Sequence, residues 1–141
     1  MLRVVFDTVV FVRALIHPKS RSGRLLFEYA DRFQIVMSQA TAQELLEVLQ
    51  RPELTRKYPA LNTISLRQVI DLLSQAETVV VTSIPEIVRD PKDNIFVATA
   101  VTGRADYLVS EDKDLLVLDG YGGLRILGCR EFIGVLEAPS E

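Results

Sequence analysis

Short apolar runs rich in β-branched residues recur along the chain, and each run has the length of a single strand. Runs of four to eight apolar residues bounded by polar or turn-forming residues are typical of strands that are buried on both faces. The sequence predicts five such strands, at residues 2–6, 33–37, 78–82, 106–109 and 124–127.

Between the strands, apolar residues recur at helical spacing and predict amphipathic helices. The first helix follows the first strand directly. Ser22 is predicted to cap the second helix and Ser38 or Thr41 the third, because short hydroxyl side chains favour this position. The polar segment between Pro52 and Pro59 is predicted to be a connector. The helices after the first are predicted at residues 22–31, 38–50 (or 41–50), 65–76, 90–102, 112–117 and 130–136.

Strands that alternate with helices and are apolar on both faces favour a parallel sheet that is covered on both sides. The sequence therefore predicts an α/β fold, a three-layer α/β/α sandwich around a parallel sheet of four to five strands. A length of 141 residues, without an internal repeat or linker, fits a single domain over residues 1–141. In such sheets the ligand site lies outside the carboxyl ends of the strands.

Composition narrows the possible chemistry. The net charge is −3, so a nucleic-acid role would need a local basic patch rather than an overall positive charge. Cys129 and His17 are the single cysteine and histidine, which excludes an internal disulfide and a cysteine-rich zinc site. No signal-peptide pattern is present, and no apolar run reaches the roughly 18 residues of a membrane span. We therefore expect a cytoplasmic protein with no membrane partner.

Asp7 interrupts the apolar segment LRVVFDTVVFVRAL, where an unpaired carboxylate would be costly to bury. Other acidic residues also follow predicted strands, and in a parallel sheet they would all lie at one edge. These residues are Asp7, Glu44, Asp90, Asp93, Asp112 and Asp114. Crowded carboxylates repel one another unless a cation neutralises them. Oxygen ligands without histidine or cysteine suit Mg²⁺ or Mn²⁺, and such ions assist phosphodiester cleavage.

Each acidic residue also has an ordinary structural interpretation. Asp7 could hydrogen-bond the turn that follows it, and Glu44 could be an exposed helix residue. Asp90 precedes a proline and is a favourable helix cap, which is the role we prefer for it. Ser110 could cap the turn at Asp112. The shared location of the acidic residues, rather than any one of them, is the evidence for a site.

The chain resembles the PIN-domain family, and it is similar to the VapC-type toxins of toxin–antitoxin pairs. The matching segments occur in the family's order and span nearly the whole chain. They are FDTVVF, QELLEVL, DPKDNIFVATAVTGRADYLVS and SEDKDLL. The resemblance implies a Rossmann-like α/β/α sandwich and a small ribonuclease that depends on Mg²⁺ or Mn²⁺. It also implies a homodimer that a cognate antitoxin holds inactive.

The resemblance implies roles for individual residues. The expected catalytic and metal-binding residues are Asp7, Glu44, Asp93 and Asp112, and the expected supporting residues are Ser110, Asp114 and Asp90. The implied reaction is hydrolysis of RNA phosphodiester bonds by water that the bound metal activates. Val9 stands two residues after the first acidic residue, where the family usually has Asn.

Basic residues suggest where RNA binds. No acidic residue lies between Asp7 and Glu28, and the basic residues there are Arg13, Lys19, Arg21 and Arg24. We expect these four to contact phosphates, with a second basic cluster at Arg51, Arg56 and Lys57. The alternative is a solvated loop and an exposed helix face.

Other functions fit the sequence less well. A haloacid-dehalogenase-like phosphatase needs Asp-x-Asp after the first strand, and the second position here is Val9. A phospho-receiver domain needs a lysine near the last strands, and Lys113 lies among acidic residues. The alternative that remains is a PIN fold that has lost turnover and acts as a nucleic-acid-binding or regulatory subunit. Val9 favours this alternative, and the intact acidic residues oppose it.

Overall fold

A computed structural model of the chain describes residues 1–62, 64–84 and 90–139. Its centre is a five-stranded sheet in which every pairing is parallel. The strands are β1 (Leu2–Phe6), β2 (Phe33–Ser38), β3 (Glu77–Val79), β4 (Tyr107–Val109) and β5 (Arg125–Leu127). Their order across the sheet is β3-β2-β1-β4-β5, so β1 lies in the middle.

Helices connect the parallel strands and cover both faces of the sheet. They are α1 (Thr8–Ile16), α2 (Arg21–Phe27), α3 (Gln39–Leu49), α4 (Pro52–Lys57), α5 (Ile64–Gln75), α6 (Pro91–Thr102), α7 (Lys113–Leu116) and α8 (Cys129–Glu137). Buried residues of α1, α2, α3, α5 and α8 pack on one face, and those of α6 and α7 pack on the other. The predicted three-layer α/β/α sandwich is therefore confirmed.

The two faces of β1 divide the core. Val4 and Phe6 belong to the larger apolar cluster, whereas Val5 belongs to the smaller one under α6. Phe132 of α8 is fully buried, and its ring centroid lies 5.2 Å from that of Tyr107 and 6.3 Å from that of Phe6. Truncating a buried aromatic side chain of this kind typically costs about 3–5 kcal/mol. This packing fixes the strand ends from which the site is built.

The elements agree with the predicted order, and several details differ. The second helix ends at Phe27 rather than at residue 31, and a separate 3₁₀ turn, Ala30–Arg32, follows it. β3 ends at Val79 rather than at residue 82, because its partner β2 ends at Ser38, which pairs with Val79. The segment predicted as a connector contains α4 instead. Pro52 is its first helical residue, a position where proline is favourable because its missing N–H has no helical partner. Pro59 likewise begins a short 3₁₀ helix, Pro59–Asn62.

The predicted cap of the second helix was also wrong. Ser20, not Ser22, caps α2, and its hydroxyl accepts the backbone N–H of Gly23 at 3.2 Å. Gly23 packs so closely on Pro18 that a Cβ atom there would lie 2.1 Å from the Pro18 carbonyl oxygen. This tight turn starts the helix earlier and buries Ser22, whose Oγ lies 3.5 Å from the Cys129 Sγ.

Over the described ranges of the chain, no helix combines the length and the apolar character needed to cross a membrane.

Candidate active site

Asp7 lies directly after the central strand β1 and caps α1. Its Oδ1 accepts the backbone N–H of Val9 at 3.2 Å, and its Oδ2 accepts the hydroxyl of Ser110 at 2.7 Å. Its residue surface is only 6% exposed. The carboxylate that interrupts the first apolar segment is therefore held by hydrogen bonds, and it also lines a cleft described below.

Ser110 joins two acidic segments of the site. It follows β4 and is fully buried. While its hydroxyl donates to Asp7, its oxygen accepts the backbone N–H of Asp112 at 3.0 Å. One buried hydroxyl thus fixes the carboxylate after β1 relative to the loop after β4. The predicted capping contact of Ser110 is present, and the same hydroxyl also binds the Asp7 carboxylate.

Three other carboxylates converge beside Asp7. Asp93 lies in the first turn of α6, which Asp90 caps by accepting the N–H of Lys92 at 3.0 Å. Asp112 caps α7 by accepting the N–H of Asp114 at 2.9 Å. One carboxylate oxygen from each of Asp93, Asp112 and Asp114 lies within 4.8 Å of the others. We call these three residues the acidic cluster.

At the carboxyl ends of the strands, the charged forms of two carboxylates are unfavourable in the absence of a cation. Burial, together with the charges of Asp112 and Asp90, raises the pKa of Asp93 to about 7. Burial also raises the pKa of Asp7, although the hydrogen bonds from Ser110 and Val9 oppose the shift. In the part of the chain that the structure describes, none of the acidic cluster residues forms an ion pair. The site therefore holds negative charge that a cation would stabilise.

The acidic cluster fits a magnesium-like or manganese-like ion. Such ions bind oxygen at about 2.0–2.1 Å in octahedral geometry, so ligands on opposite sides of the ion are about 4.2 Å apart. The three carboxylate oxygens lie within 4.8 Å of one another, a range that includes this separation. Carboxylates without a cysteine or histidine among them also match the preference of these ions. Asp7 and Glu44 are not among the three convergent carboxylates.

Glu44 is positioned by a contact that the sequence reasoning missed. It lies half-buried on α3, and its Oε2 accepts the hydroxyl of Thr8 at 2.7 Å. Thr8 is itself buried and follows Asp7 directly. The segment FDT contained the signal, since a hydroxyl beside a buried acidic residue often has a polar partner. The Asp7 and Glu44 carboxylates both line the same cleft.

The cleft has a volume of about 920 Å³ and carries charges of both signs. Its acidic lining residues include Asp7, Glu44, Asp90, Asp93, Glu111 and Asp112, and its basic lining residues are Arg13, Arg51, Lys57 and Lys92. Carboxylates next to several cations can bind a metal ion and a polyanion side by side.

Only some of the residues predicted to contact phosphates line the cleft. Arg13 lines the cleft, whereas Lys19 and Arg21 are exposed residues outside its lining. Arg24 is bound within the protein, with its Nε 3.2 Å from the Glu28 Oε2 and its Nη2 3.2 Å from the Tyr29 hydroxyl.

From the second basic cluster, Arg51 and Lys57 reach the cleft, and Arg56 is not part of its lining. Lys92 was missed because its sequence position suggested only a helix start; α6 brings it to the cleft.

Comparison with known proteins agrees with the sequence and the geometry. The family model for the PIN domain matches residues 3–114. Comparison with curated proteins gives no match. The fold is similar to the crystal structure of VapBC2 from Rickettsia felis bound to a DNA fragment from the promoter, with a TM-score of 0.61 and 13% identity over 90% of this chain and 98% of that chain.

A second similar structure is PAE2754 from Pyrobaculum aerophilum, with a TM-score of 0.56 and 15% identity over 99% of this chain and 91% of that chain. At such identities the likeness concerns the fold. The family match covers most of the chain, and the fold and the strand-end carboxylates agree with it. The chain belongs to the PIN domain family.

Proposed function

We propose that this protein is a metal-dependent endoribonuclease and the toxin of a toxin–antitoxin pair. The observation that carries the proposal is the acidic cluster, which forms no ion pair among the described residues. Two of its members, Asp93 and Asp112, line a cleft that also presents four basic side chains. The acidic cluster suits Mg²⁺ or Mn²⁺, and the basic residues suit the phosphates of a nucleic acid.

Asp93, Asp112 and Asp114 would hold the ion, and Asp7 and Glu44 would complete the acidic wall of the cleft. When bound, such an ion lowers the pKa of water and stabilises charge on the leaving oxygen of a phosphodiester. Ser110 keeps Asp7 in place.

The candidate side-chain nucleophiles do not suit the reaction. Burial raises the pKa of Cys129 to about 11, so its thiol stays protonated, and Cys129 is not part of the cleft lining. The Ser110 hydroxyl is fully buried and already bound to Asp7 and to the Asp112 backbone. Water is therefore the nucleophile in this proposal.

Toxin function rests on the resemblance to VapC-type proteins and on the similarity of the fold to VapBC2. It implies a cognate antitoxin, a homodimer and action on RNA in the cytoplasm. The second candidate is a PIN-fold binding or regulatory subunit without turnover. Val9 favours it, because this 52% exposed apolar side chain lines the cleft where the family usually has a polar one.

A cleavage assay tests the proposal. The protein is incubated with single-stranded RNA, structured RNA and DNA in Mn²⁺, Mg²⁺ or EDTA, alongside Asp112→Asn and Asp31→Asn. Asparagine preserves the helix cap at position 112. Asp31 is an exposed acidic residue outside the cleft and serves as the matched control.

We expect metal-dependent cleavage of RNA that Asp112→Asn loses and Asp31→Asn keeps. Cleavage that survives Asp112→Asn would refute the assigned site. If RNA binds and no variant cleaves it, the binding-subunit alternative replaces the proposal.

A further inference from the structure

A second, smaller groove runs along α1 next to the cleft. It has a volume of about 200 Å³, and its lining residues are Val9, Val12, Arg13, Ile16, His17 and Tyr58. All of these except His17 also line the cleft, so the two spaces are continuous. We call this space the α1 groove.

The apolar wall of the α1 groove is a direct product of helical spacing. Val9, Val12 and Ile16 are three and four residues apart, so they lie on one face of α1. Val9 is 52% exposed, and Val12 and Ile16 are half-buried. An apolar stripe left open beside a charged cleft suggests a ligand that is apolar in part.

Tyr58 provides the aromatic side of the groove. It is the residue directly after the last helical residue of α4, and its ring contacts two neighbouring side chains. The His17 ring meets it edge to face with centroids 6.1 Å apart, and the Lys57 Nζ lies 5.6 Å from its centroid. Contacts of this kind orient an aromatic ring, and an oriented ring is a surface on which a flat heterocycle can stack.

We propose that the α1 groove binds an unpaired nucleobase of the RNA strand whose phosphate lies at the acidic cluster. This inference rests on the proposed function and adds a binding subsite to it. The base would pack between Tyr58 and the apolar stripe of α1, while Arg13 and Lys57 contact the neighbouring phosphates. A base that is splayed out and stacked on an aromatic ring is the common mode of single-strand recognition.

Charge and size favour a nucleobase over other occupants. The lining of the α1 groove contains a cation, Arg13, and no acidic residue, which suits a polyanion. The groove has a volume of about 200 Å³, comparable to roughly seven waters at about 30 Å³ each, and has room for one base. An apolar side chain of a partner peptide, or a second copy of this chain, would give different results in the test below.

The test compares oligonucleotide binding by three proteins: the wild type, Tyr58→Leu and Tyr58→Phe. Leucine keeps the site apolar and removes the aromatic ring, whereas phenylalanine retains the ring. The probes are a fluorescein-labelled hexauridylate, the same RNA with abasic riboses, and an RNA duplex. Anisotropy is measured in Ca²⁺ to allow binding without relying on cleavage. Thermal unfolding establishes that both variants are folded.

We expect Tyr58→Leu to weaken binding of hexauridylate by about 10-fold, within the range known for the loss of base–aromatic stacking. Its affinity for the abasic strand should be unchanged, and Tyr58→Phe should restore binding of hexauridylate. The wild type should prefer the single strand to the duplex. Equal losses on normal and abasic strands, or no loss on either, would overturn the proposal.

Two further outcomes separate the alternatives. If Tyr58→Leu converts a dimer to a monomer in sedimentation, the α1 groove is an interface between copies and the proposal fails. If the wild type binds RNA with the expected dependence on Tyr58 and does not cleave it in Mn²⁺, the base subsite stands and the nuclease proposal fails.

Discussion

Acidic side chains lie at both edges of the sheet, the amino edge where the strands begin and the carboxyl edge where they end. Among the described residues, they form ion pairs at the amino edge and not at the carboxyl edge. At the amino edge, the Arg3 guanidinium pairs with Glu77, and its Nε and Nη2 donate to the Gly103 carbonyl oxygen at 2.9 and 2.7 Å. The backbone N–H of Arg3 donates to the Asp106 Oδ2 at 2.8 Å. At the carboxyl edge, the acidic cluster has no ion-pair partner among the described residues.

The pKa values of acidic residues are lowered at the amino edge and raised at the carboxyl edge, relative to their ordinary values. The hydrogen bond from Arg3 lowers the pKa of Glu77, and the hydrogen bond from the Ile126 backbone lowers that of Asp119. Burial raises the pKa values of Asp7 and Asp93. Glu77 and Asp119 therefore stabilise the fold, whereas the charged forms of Asp7 and Asp93 reduce its stability in the absence of a cation. Such an arrangement is typical of a functional site.

The largest effect should come from Asp93→Asn. If Asp93 holds the proposed metal ion, its loss should lower RNA cleavage by at least about 100-fold, comparable to the loss of a group that stabilises transition-state charge. In EDTA at pH 8 the same variant should unfold at a higher temperature than the wild type, because a buried, repelled charge is gone. Cleavage rates and thermal unfolding measure the two effects.

Asp119→Asn is the matched control for Asp93→Asn at the amino edge. It should keep cleavage and lose thermal stability, because Asp119 accepts the Ile126 N–H at 2.8 Å and pairs with Arg125. If both variants changed stability in the same direction, the contrast between the edges would be wrong.

Ser110→Ala should destabilise the protein by about 1–3 kcal/mol, the range expected when buried hydrogen-bonding groups lose a partner. Asp7 and the Asp112 backbone N–H both depend on this hydroxyl. The pKa of Asp7 should also rise further, since the Ser110 hydrogen bond lowers it. Urea unfolding measures the free energy. Ser110→Thr retains the hydroxyl, and equal stability of all three proteins would contradict the assigned role.

The pH dependence of stability should have opposite signs at the two edges. The pKa of Asp93 is about 7 in the folded protein, whereas an exposed aspartate ordinarily has a pKa of 3.8. Because the folded protein holds the Asp93 proton more tightly than the unfolded protein does, the free energy of unfolding falls as pH rises from about 4 to 7. At the amino edge, where the pKa values are lowered, stability is present above the unfolded pKa and is lost as pH falls.

Denaturant titrations of the metal-free protein between pH 4 and 8 measure this dependence. Asp93→Asn should remove most of the decline, and Mn²⁺ should oppose it at pH 7 and above, where the carboxylates are charged. A decline of the same size in Asp93→Asn would show that Asp93 is not its source.

The smallest effect should come from Arg3→Met. The variant retains an apolar stem and removes the donors to Gly103 and the partner of Glu77. We expect the unfolding temperature to fall by roughly 2–6 °C, as for the loss of partly exposed hydrogen bonds in a domain of this size. Cleavage in Mn²⁺ should stay at the wild-type rate. A loss of cleavage in a folded Arg3→Met would mean that the two edges are coupled.

Local patterns were sufficient to predict most of the fold. The strand at 2–6 and the caps at Ser38 and Asp90 follow from short-range chemistry, because caps and apolar runs act within a few residues. The predictions failed where a contact outside the local pattern decided the result. Ser22 is not a cap because Gly23 packs on Pro18, and β3 is short because its partner strand ends.

The sequence alone determined the class of fold and the acidic character of the site, since both depend on residue type and on position relative to the strands. Only the tertiary structure decided which acidic residues converge and which basic residues face them. Asp114 joins the acidic cluster because the fold brings the start of α7 close to the first turn of α6. Arg13 shares the cleft with Arg51 and Lys57 because α1 and α4 lie along it. Contacts between distant segments depend on packing, which no local spacing encodes.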